Sequence, residues 1–398
     1  MADIADTILV HRASHHDATA THAALAPLAS VSVDAWRLLA GHTVEPNGYY
    51  LPDWELAVDA SARGRTDVSV ICAWRDSRLI GLAPVISMWR AYRIPLPALV
   101  SADPYGTLCT PLLDRDQAEP AALGILRQAR AAGARALMLR AAALDGPAMK
   151  AFREELRHDG MRPILLQSHL RASLDATRDA DELLQDALGA KKLKELRRQR
   201  NRLADHGAVH FEIARTPPEV SSAIETFLTL EASGWKSKRG TALAQDEGDA
   251  TFIRRATVAL AAHGQCEIIS LRAGDVPVAA GIVLRHGDRA FFFKLGVDER
   301  FAKFSPGVQL TIELTRHLCA DPNIRLADST AAPDHPMINP IWRGRLAIGD
   351  VLIPLCRHDP AVALMRAALM LRQAIREPAR RAVQFLRKGR QSRQEKSA

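Results

Sequence analysis

The residues best placed to do chemistry lie between Lys294 and Leu318, in the run KLGVDERFAKFSPGVQLTIELTRHL. A β-prone segment gives way there to a turn, and Ser305, Pro306 and Gly307 stand immediately before a helical pattern. The first N–H groups of a helix have no intrahelical acceptor, and its dipole adds partial positive charge at that end, so the spot suits an anion such as a phosphate. Pro306 has the φ of a first helical residue, Ser305 is of the type that caps, and Gly307 leaves room for an anion against the backbone. Many helices open with Ser-Pro for stability alone, so the tripeptide gains meaning from its position, directly after the third β run of a repeated unit. Lys294, a cation in an otherwise apolar strand, either points into a cleft or snorkels at an edge.

The repeat is the next observation. From Trp54 the chain reads WELAVDASARGRTDVSVICAWRDSRLIGLAPVI, and from Phe252 it reads FIRRATVALAAHGQCEIISLRAGDVPVAAGIVL, aligned without a gap at an offset of 198 residues. Each copy is a helical pattern ended by a glycine suited to a left-handed cap, Gly64 or Gly264, and then two β runs around a short turn. Downstream the copies diverge. The first passes through RIPLPALVSADPYGTLCTPLLD, which the prolines make irregular, before a helix from Pro120 to Ala132 and a strand ending at Arg140. The second continues with the β run RAFFFKLGV, the SPG turn, a helix and the strand IRLADS. Between the copies, AKKLKELRRQRNRLADHG (190–207) has Leu193, Leu196 and Leu203 near one helical face and Lys/Arg elsewhere. That face is either simply solvated or receives an anionic part of a ligand.

Composition bounds the remainder. A chain of 398 residues that is 47% apolar is large enough for two domain cores plus tails. The longest apolar run, Leu79 to Trp89, is about half of the ~20 residues that span a bilayer. No basic start followed by a long apolar segment is present, so the expected location is cytoplasmic. The five cysteines are scattered, which suits reduced core residues, and no metal site is expected. Residues 357–398 hold 11 Lys/Arg and three acids, which accounts for the whole net charge of +8. The high pI therefore describes a tail and argues against DNA binding by the whole protein. Within that tail, AVALMRAALMLRQAIREPARRAVQFLRK (361–388) reads as an amphipathic basic helix interrupted near Pro378, packed on its own domain or laid against the inner face of a membrane.

The basic segment 190–207, LTLEASGWKSKRGTAL, LRAGDVPVAAGIVL and FFFKLGVDERFAKFSPGVQL together resemble the acyltransferase domain of the CelD-like proteins of cellulose biosynthesis, over residues 185–345. That family is a branch of the GNAT superfamily of N-acetyltransferases and is similar to the Fem-type tandem acyltransferases. PLPALVSADPYGTLCTPLL and its hairpin resemble the family's amino-terminal half. The resemblance implies an α/β fold of tandem GNAT-like units, each a mixed, mainly antiparallel sheet flanked by helices. Its expected limits are a flexible leader (1–25), a degenerate first unit (26–178), an acyltransferase unit (179–357) and the basic tail (358–398). It further implies acyl-CoA, such as acetyl-CoA, as co-substrate, with its pyrophosphate on the loop that supplies Lys303, Phe304, Ser305, Pro306, Gly307 and Val308. This loop keeps one glycine where the superfamily repeats it.

Transfer would then be direct attack of an amine or hydroxyl on the thioester, helped by a backbone N–H of the strand Arg289 to Gly296. Glu231, His335 and Asp328 are the side chains expected to take the acceptor's proton or hold the acceptor, against the plainer readings of a solvated helix residue, a loop residue and a turn residue. Trp235, Lys236 and Lys294 are expected to bind substrate, with a structural Trp anchor as the alternative. The implied acceptor is a small molecule or a glycan precursor of envelope or polysaccharide metabolism. Two other readings stay open: a Fem-like transferase fed by aminoacyl-tRNA, and a non-catalytic scaffold in exopolysaccharide synthesis.

Overall fold

In the computed structural model the residues described are 25–233 and 242–375. Trp235 and Lys236, the leader and residues 376–398 lie outside them. The β runs form β1 (Ala26–Pro27), β2 (Ser69–Arg75), β3 (Arg78–Ser87), β4 (Ala98–Ser101), β5 (Leu112–Leu113), β6 (Ala136–Ala143), β7 (Ile164–Asp175), β8 (Val209–Ala214), β9 (Cys266–Ala273), β10 (Val276–His286), β11 (Arg289–Val297), β12 (Leu326–Asp328) and β13 (Gly344–Pro354). Among the described residues they make one sheet in the order β1-β2-β3-β4-β6-β13-β7-β12-β11-β10-β9-β8, with β5 beside β3. β4 with β6 and β11 with β12 are its parallel neighbours, and the other pairs are antiparallel.

The repeat seen in the sequence holds at the level of register. Ser69 pairs with Val85 as Glu267 pairs with Val283, and Ala73 with Gly81 as Leu271 with Ala279, each partner 198 residues on. Both hairpins carry a bulge at the same place, the extra residue being Ile80 in one and Val278 in the other. A bulge re-aims a strand, so its repetition gives both sheets the same bend. The preceding helices are Pro52–Ser61 and Glu247–Ala261; Gly264, at φ 66°, caps the second as expected, whereas the first stops at Ser61 with Ala62 extended and Gly64, at φ 70°, falls in the turn that follows. Their opening aromatics meet: Trp54 and Phe252 are fully buried with ring centroids 5.0 Å apart, edge to face. The two copies thus pack on each other across a shared core that also holds Trp36, Tyr49, Phe227 and Phe291.

The proline-rich stretch after the first hairpin is less irregular than expected. It contains β4, which lies between β3 and β6. Pro95 and Pro97 keep it short, because proline cannot donate to a ladder and holds its neighbours extended.

The last strand of each half crosses to the other. β7, which follows the first unit's helix Pro147–His158, pairs with β12 of the second unit, whereas β13, near the end of the second, pairs with β6 of the first. β7 and β13 also pair with each other from Gly344–Ser173 to Leu352–Ile164. One face of the first half is covered by the helices Ala118–Ala131 and Pro147–His158. The corresponding face of the second is covered by Ala180–Leu203 and Pro306–Ala320. In the first of these two, Leu196 and Leu203 are buried and Leu193 partly so, as its apolar spacing predicts, and Gly189 kinks it. Residues 360–375 form a helix that packs through Val362, Met365 and Leu369, with Leu364, Leu371 and Ile375 left exposed. No described helix is long and apolar enough to cross a membrane.

At the outer end of the second unit, buried Glu267 on β9 accepts from Arg285 Nη1 at 2.7 Å and Arg215 Nε at 3.0 Å, and meets His317 Nε2 at 2.8 Å. Burial pushes its carboxyl up, but the contacts with His317, Arg215 and Arg285 overcome this and hold it at about 2. A carboxyl depressed on folding stabilises fully above its unfolded value and loses that contribution as pH falls through its folded one. Urea stability should therefore decline between the ordinary value of 4.5 and about 2. Glu267→Gln, less stable at neutral pH, should show a shallower decline over that window.

Candidate functional site

β11 is rich in aromatic residues, which favour a strand. It pairs with β10 from Ala279–Val297 to His286–Arg289, but with β12 only at Arg289, Ala290 and Phe291. There β12 ends. Its chain turns away through Thr330, which takes a left-handed φ of 51° and donates from Oγ1 to the Phe292 carbonyl at 2.7 Å. From Phe293 onward the edge of β11 faces a cavity of about 490 Å³. Lys294 and Leu295 line one wall; Ser329, Ala331, His335 and Met337 line the other; Ser305 to Val308 close an end.

The corresponding opening in the first unit is filled by its own chain. Beyond the parallel pairing of β4 with β6, the Cys109 N–H donates to the Ala141 carbonyl at 3.3 Å and the Ala143 N–H to Thr110 Oγ1 at 3.0 Å. Asn47 Nδ2 secures that filling segment through the carbonyls of Leu108 and Thr110. The separation that makes a cavity is thus used differently in the two units.

Pro306 opens its helix as expected, but Ser305 does not cap it with its side chain. Ser305 sits at φ 53° and ψ 51°, left-handed, and not in the extended conformation from which a hydroxyl reaches the second or third amide. Its own N–H donates to Ala302 and its carbonyl accepts from Gln309. Pro306 has no N–H, so the helix's open donors are the amides of Gly307 and Val308, with no acceptor among the described residues. Gly307 is needed for close approach. A Cβ there would lie 3.0 Å from Leu295 Cδ2 and 3.2 Å from Met337 Sδ. Lys303 and Phe304 do not line the cavity: Phe304 is buried near His206 and Phe301, and Lys303 lies over its ring at 4.8 Å.

The other predicted residues fall into two groups. Lys294 and His335 border the cavity. His335 Nδ1 lies 3.4 Å from the Met337 backbone nitrogen, a long contact. Glu231 is buried behind Lys294, accepting from its Nζ at 3.1 Å and from the Leu243 N–H at 3.0 Å. Asp328 does not line the cavity. Its carboxylate accepts from Arg171 Nη1 at 3.0 Å and from the Thr330 N–H at 2.7 Å, and both charged residues are buried. Arg171 also donates to the Thr107 carbonyl at 2.7 Å. Trp235 and Lys236 lie outside the described residues.

No motif or spacing pointed to Arg171, Thr330 or Tyr105. Tyr105, from the first unit, stacks on Phe252 at 5.0 Å, donates to Asp249 Oδ2 at 2.7 Å and has Lys294 Nζ 5.7 Å from its ring. Burial, then Asp249, pushes its phenol well up, so it remains a donor.

Residues 190–335 match the family model of the acetyltransferase (GNAT) domain. No curated protein matches the chain in sequence. Among solved structures the fold is similar to that of FemX, with a TM-score of 0.56 and 10% identity over 84% of this chain and 98% of that one. It is also similar to the C-terminal domain of a protein described as a lysylphosphatidylglycerol synthetase from Agrobacterium fabrum, with a TM-score of 0.52 and 14% identity over 85% and 96% of the two chains. A conserved protein of unknown function from Bacteroides thetaiotaomicron gives a TM-score of 0.52 and 12% identity over 83% and 100%. At such identities the likeness is one of fold. The architecture is the tandem, mainly antiparallel α/β arrangement expected, with the two sheets made continuous by β7 and β13.

Removing one partner of a buried ion pair leaves the other charge uncompensated. Asp328→Ala should cost about 3–5 kcal/mol in urea denaturation. A loss below about 1 kcal/mol, the scale of an exposed pair, would show that Arg171 finds other compensation.

Proposed function

We propose that the cavity between β11 and β12 receives an acyl thioester, and that the chain transfers its acyl group to an amine or hydroxyl acceptor. The observation that carries this reading is the parting of the two strands after Phe291, with the Gly307 and Val308 amides open at one end of the gap. The strand edge presents backbone N–H groups to a carbonyl, and the helix start offers donors to a phosphate. The match of residues 190–335 to the acetyltransferase domain supports acyl-CoA, with acetyl-CoA as the simplest form, as the donor.

In this reading the acceptor's lone pair attacks the thioester carbonyl. A backbone N–H of β11 stabilises the oxyanion, the C–S bond breaks and the thiol leaves. We assign His335 to take the acceptor's proton, because it borders the cavity and Asp328 does not. Glu231 fixes Lys294 at the wall. Asp328 acts by position, holding Arg171 and the turn at Thr330 behind the gap. The resemblance to CelD-like proteins makes a glycan or envelope precursor the first acceptor class to try.

A second reading has one observation of its own. The helix Ala180–Leu203, which contacts the Pro306 helix through Gln309 Nε2 to the Leu196 carbonyl at 3.2 Å, exposes Lys191, Lys194, Arg197, Arg198 and Arg202. With the fold likeness to FemX, this face suits an aminoacyl-tRNA donor. Saturable binding of charged tRNA without binding of any acyl-CoA would decide for it.

Acyl-CoA should raise the melting temperature progressively with the logarithm of its concentration, with about 2.7 kcal/mol of stabilisation at a hundred times the dissociation constant. Gly307→Leu, with native circular dichroism, should abolish that shift. His335→Ala should retain the shift and lower kcat by about 10²–10⁴, the usual contribution of a positioned acid or base. An unchanged kcat would remove His335 from the proton transfer.

A further inference from the structure

We infer that the seam between the helix of residues 360–375 and the sheet is a second ligand site, for an anion that carries an apolar chain: a fatty carboxylate or an acyl-bearing phosphate. The seam holds a cavity of about 340 Å³, near the lower end of the range of small-molecule sites, roughly 300–1,000 Å³. Met138, Leu166, Leu369 and Met370 supply an apolar wall, and Arg140 and Arg372 supply charge.

The two arginines are the reason for an anion. Arg140 Nε is held by the Ser101 carbonyl at 3.0 Å, yet its Nη2 is buried and has no acceptor among the described residues. Arg372 Nη1 is held by the Tyr92 carbonyl at 2.9 Å, yet its Nε is likewise buried without an acceptor among them. Asp350, the one carboxylate among the described residues that line the cavity, is already engaged by the Ala141 N–H at 2.8 Å and by Gln167 Nε2 at 2.5 Å. Tyr92, which also lines the seam, lies between the two cations, its ring 5.2 Å from Arg372. Burial pushes its phenol up to about 12, so it remains a donor at neutral pH. Guanidinium N–H groups withdrawn from water without an acceptor are costly, and their planar forks match carboxylate and phosphate oxygens.

The register of the two units also shapes the apolar wall. Val100 pairs with Met138 as Phe291 pairs with Asp328, so Met138 stands in the first unit where Asp328 stands in the second. An apolar side chain there instead extends the wall toward Met370, which is 53% exposed and marks the way out for a chain.

The test is calorimetric titration of the full chain with oleate, with lysophosphatidate below its micelle concentration, with neutral monoolein and with inorganic phosphate. Oleate and lysophosphatidate should bind saturably at one site, and monoolein and phosphate much more weakly. Arg372→Gln, on the outer helix, and Arg140→Gln, beneath it, should each weaken binding about tenfold. The proposal is overturned if neither amphiphile binds, if both variants bind as the parent does, or if monoolein matches oleate. Phosphate alone binding as tightly as lysophosphatidate would overturn the chain-bearing ligand and leave a plain anion site.

Discussion

The strand that binds the molecule together is β13, because it has to satisfy two neighbours from different halves of the chain, β6 on one side and β7 on the other. Neither half can complete its sheet alone: without the other, β6 would keep only β4 beside it and β12 only β11. β7 meets both β12 and β13 at Ser173, which is opposite Asp328 and also opposite Gly344. A Cβ at residue 344 would lie 2.7 Å from the Ser173 carbonyl oxygen, so the junction requires glycine there. Exchange at this point fixes where β12 stops, and the end of β12 fixes where it parts from β11.

The same exchange explains why two units with one hairpin register differ in what they can hold. Arg171 arrives on β7, from the first half of the chain, and is buried behind the end of β12, where Asp328 neutralises it. The Arg171 guanidinium also holds the Thr107 carbonyl, in the loop that leads to the segment filling the first unit's opening. One gap is packed with backbone and the other stays open, and the open one has a helix start at its end. The segments downstream of the hairpins thus divide the two units by function, since the hairpins themselves are equivalent down to their bulges.

Much of the local structure was legible in the sequence. Alternation of apolar and turn positions located both hairpins, and a gapless offset carries a bulge with it, because inserting a residue into only one copy would put its side chains on the wrong face. The glycine cap at Gly264 and the first-turn proline at Pro306 were equally readable, being properties of single residues, whereas Gly64 serves a turn after its helix has already ended at Ser61. The long-range pairings left no local trace. Nothing in RLAIGDVLIP (345–354) says that it crosses to the other half, and without that crossing Arg171 and Asp328 cannot be seen as partners. Ser305 misleads for a related reason: its residue type favours a cap, but the tight turn after Phe304 imposes a left-handed backbone. Lys303 and Phe304 were grouped with the binding loop by adjacency, whereas the 3-10 turn of residues 299–304 has a period of three that brings Glu299, Ala302 and Ser305 to the cavity and leaves Phe304 in the core.

The central claim is that the donor enters where β11 and β12 part, and amide hydrogen exchange with and without saturating acetyl-CoA tests it most directly. Slowed exchange is predicted at residues 293–297 and at Gly307 and Val308, with no change at residues 98–110 of the first unit. Protection confined to the first unit, or no protection at residues 293–297 despite saturation, would contradict the account.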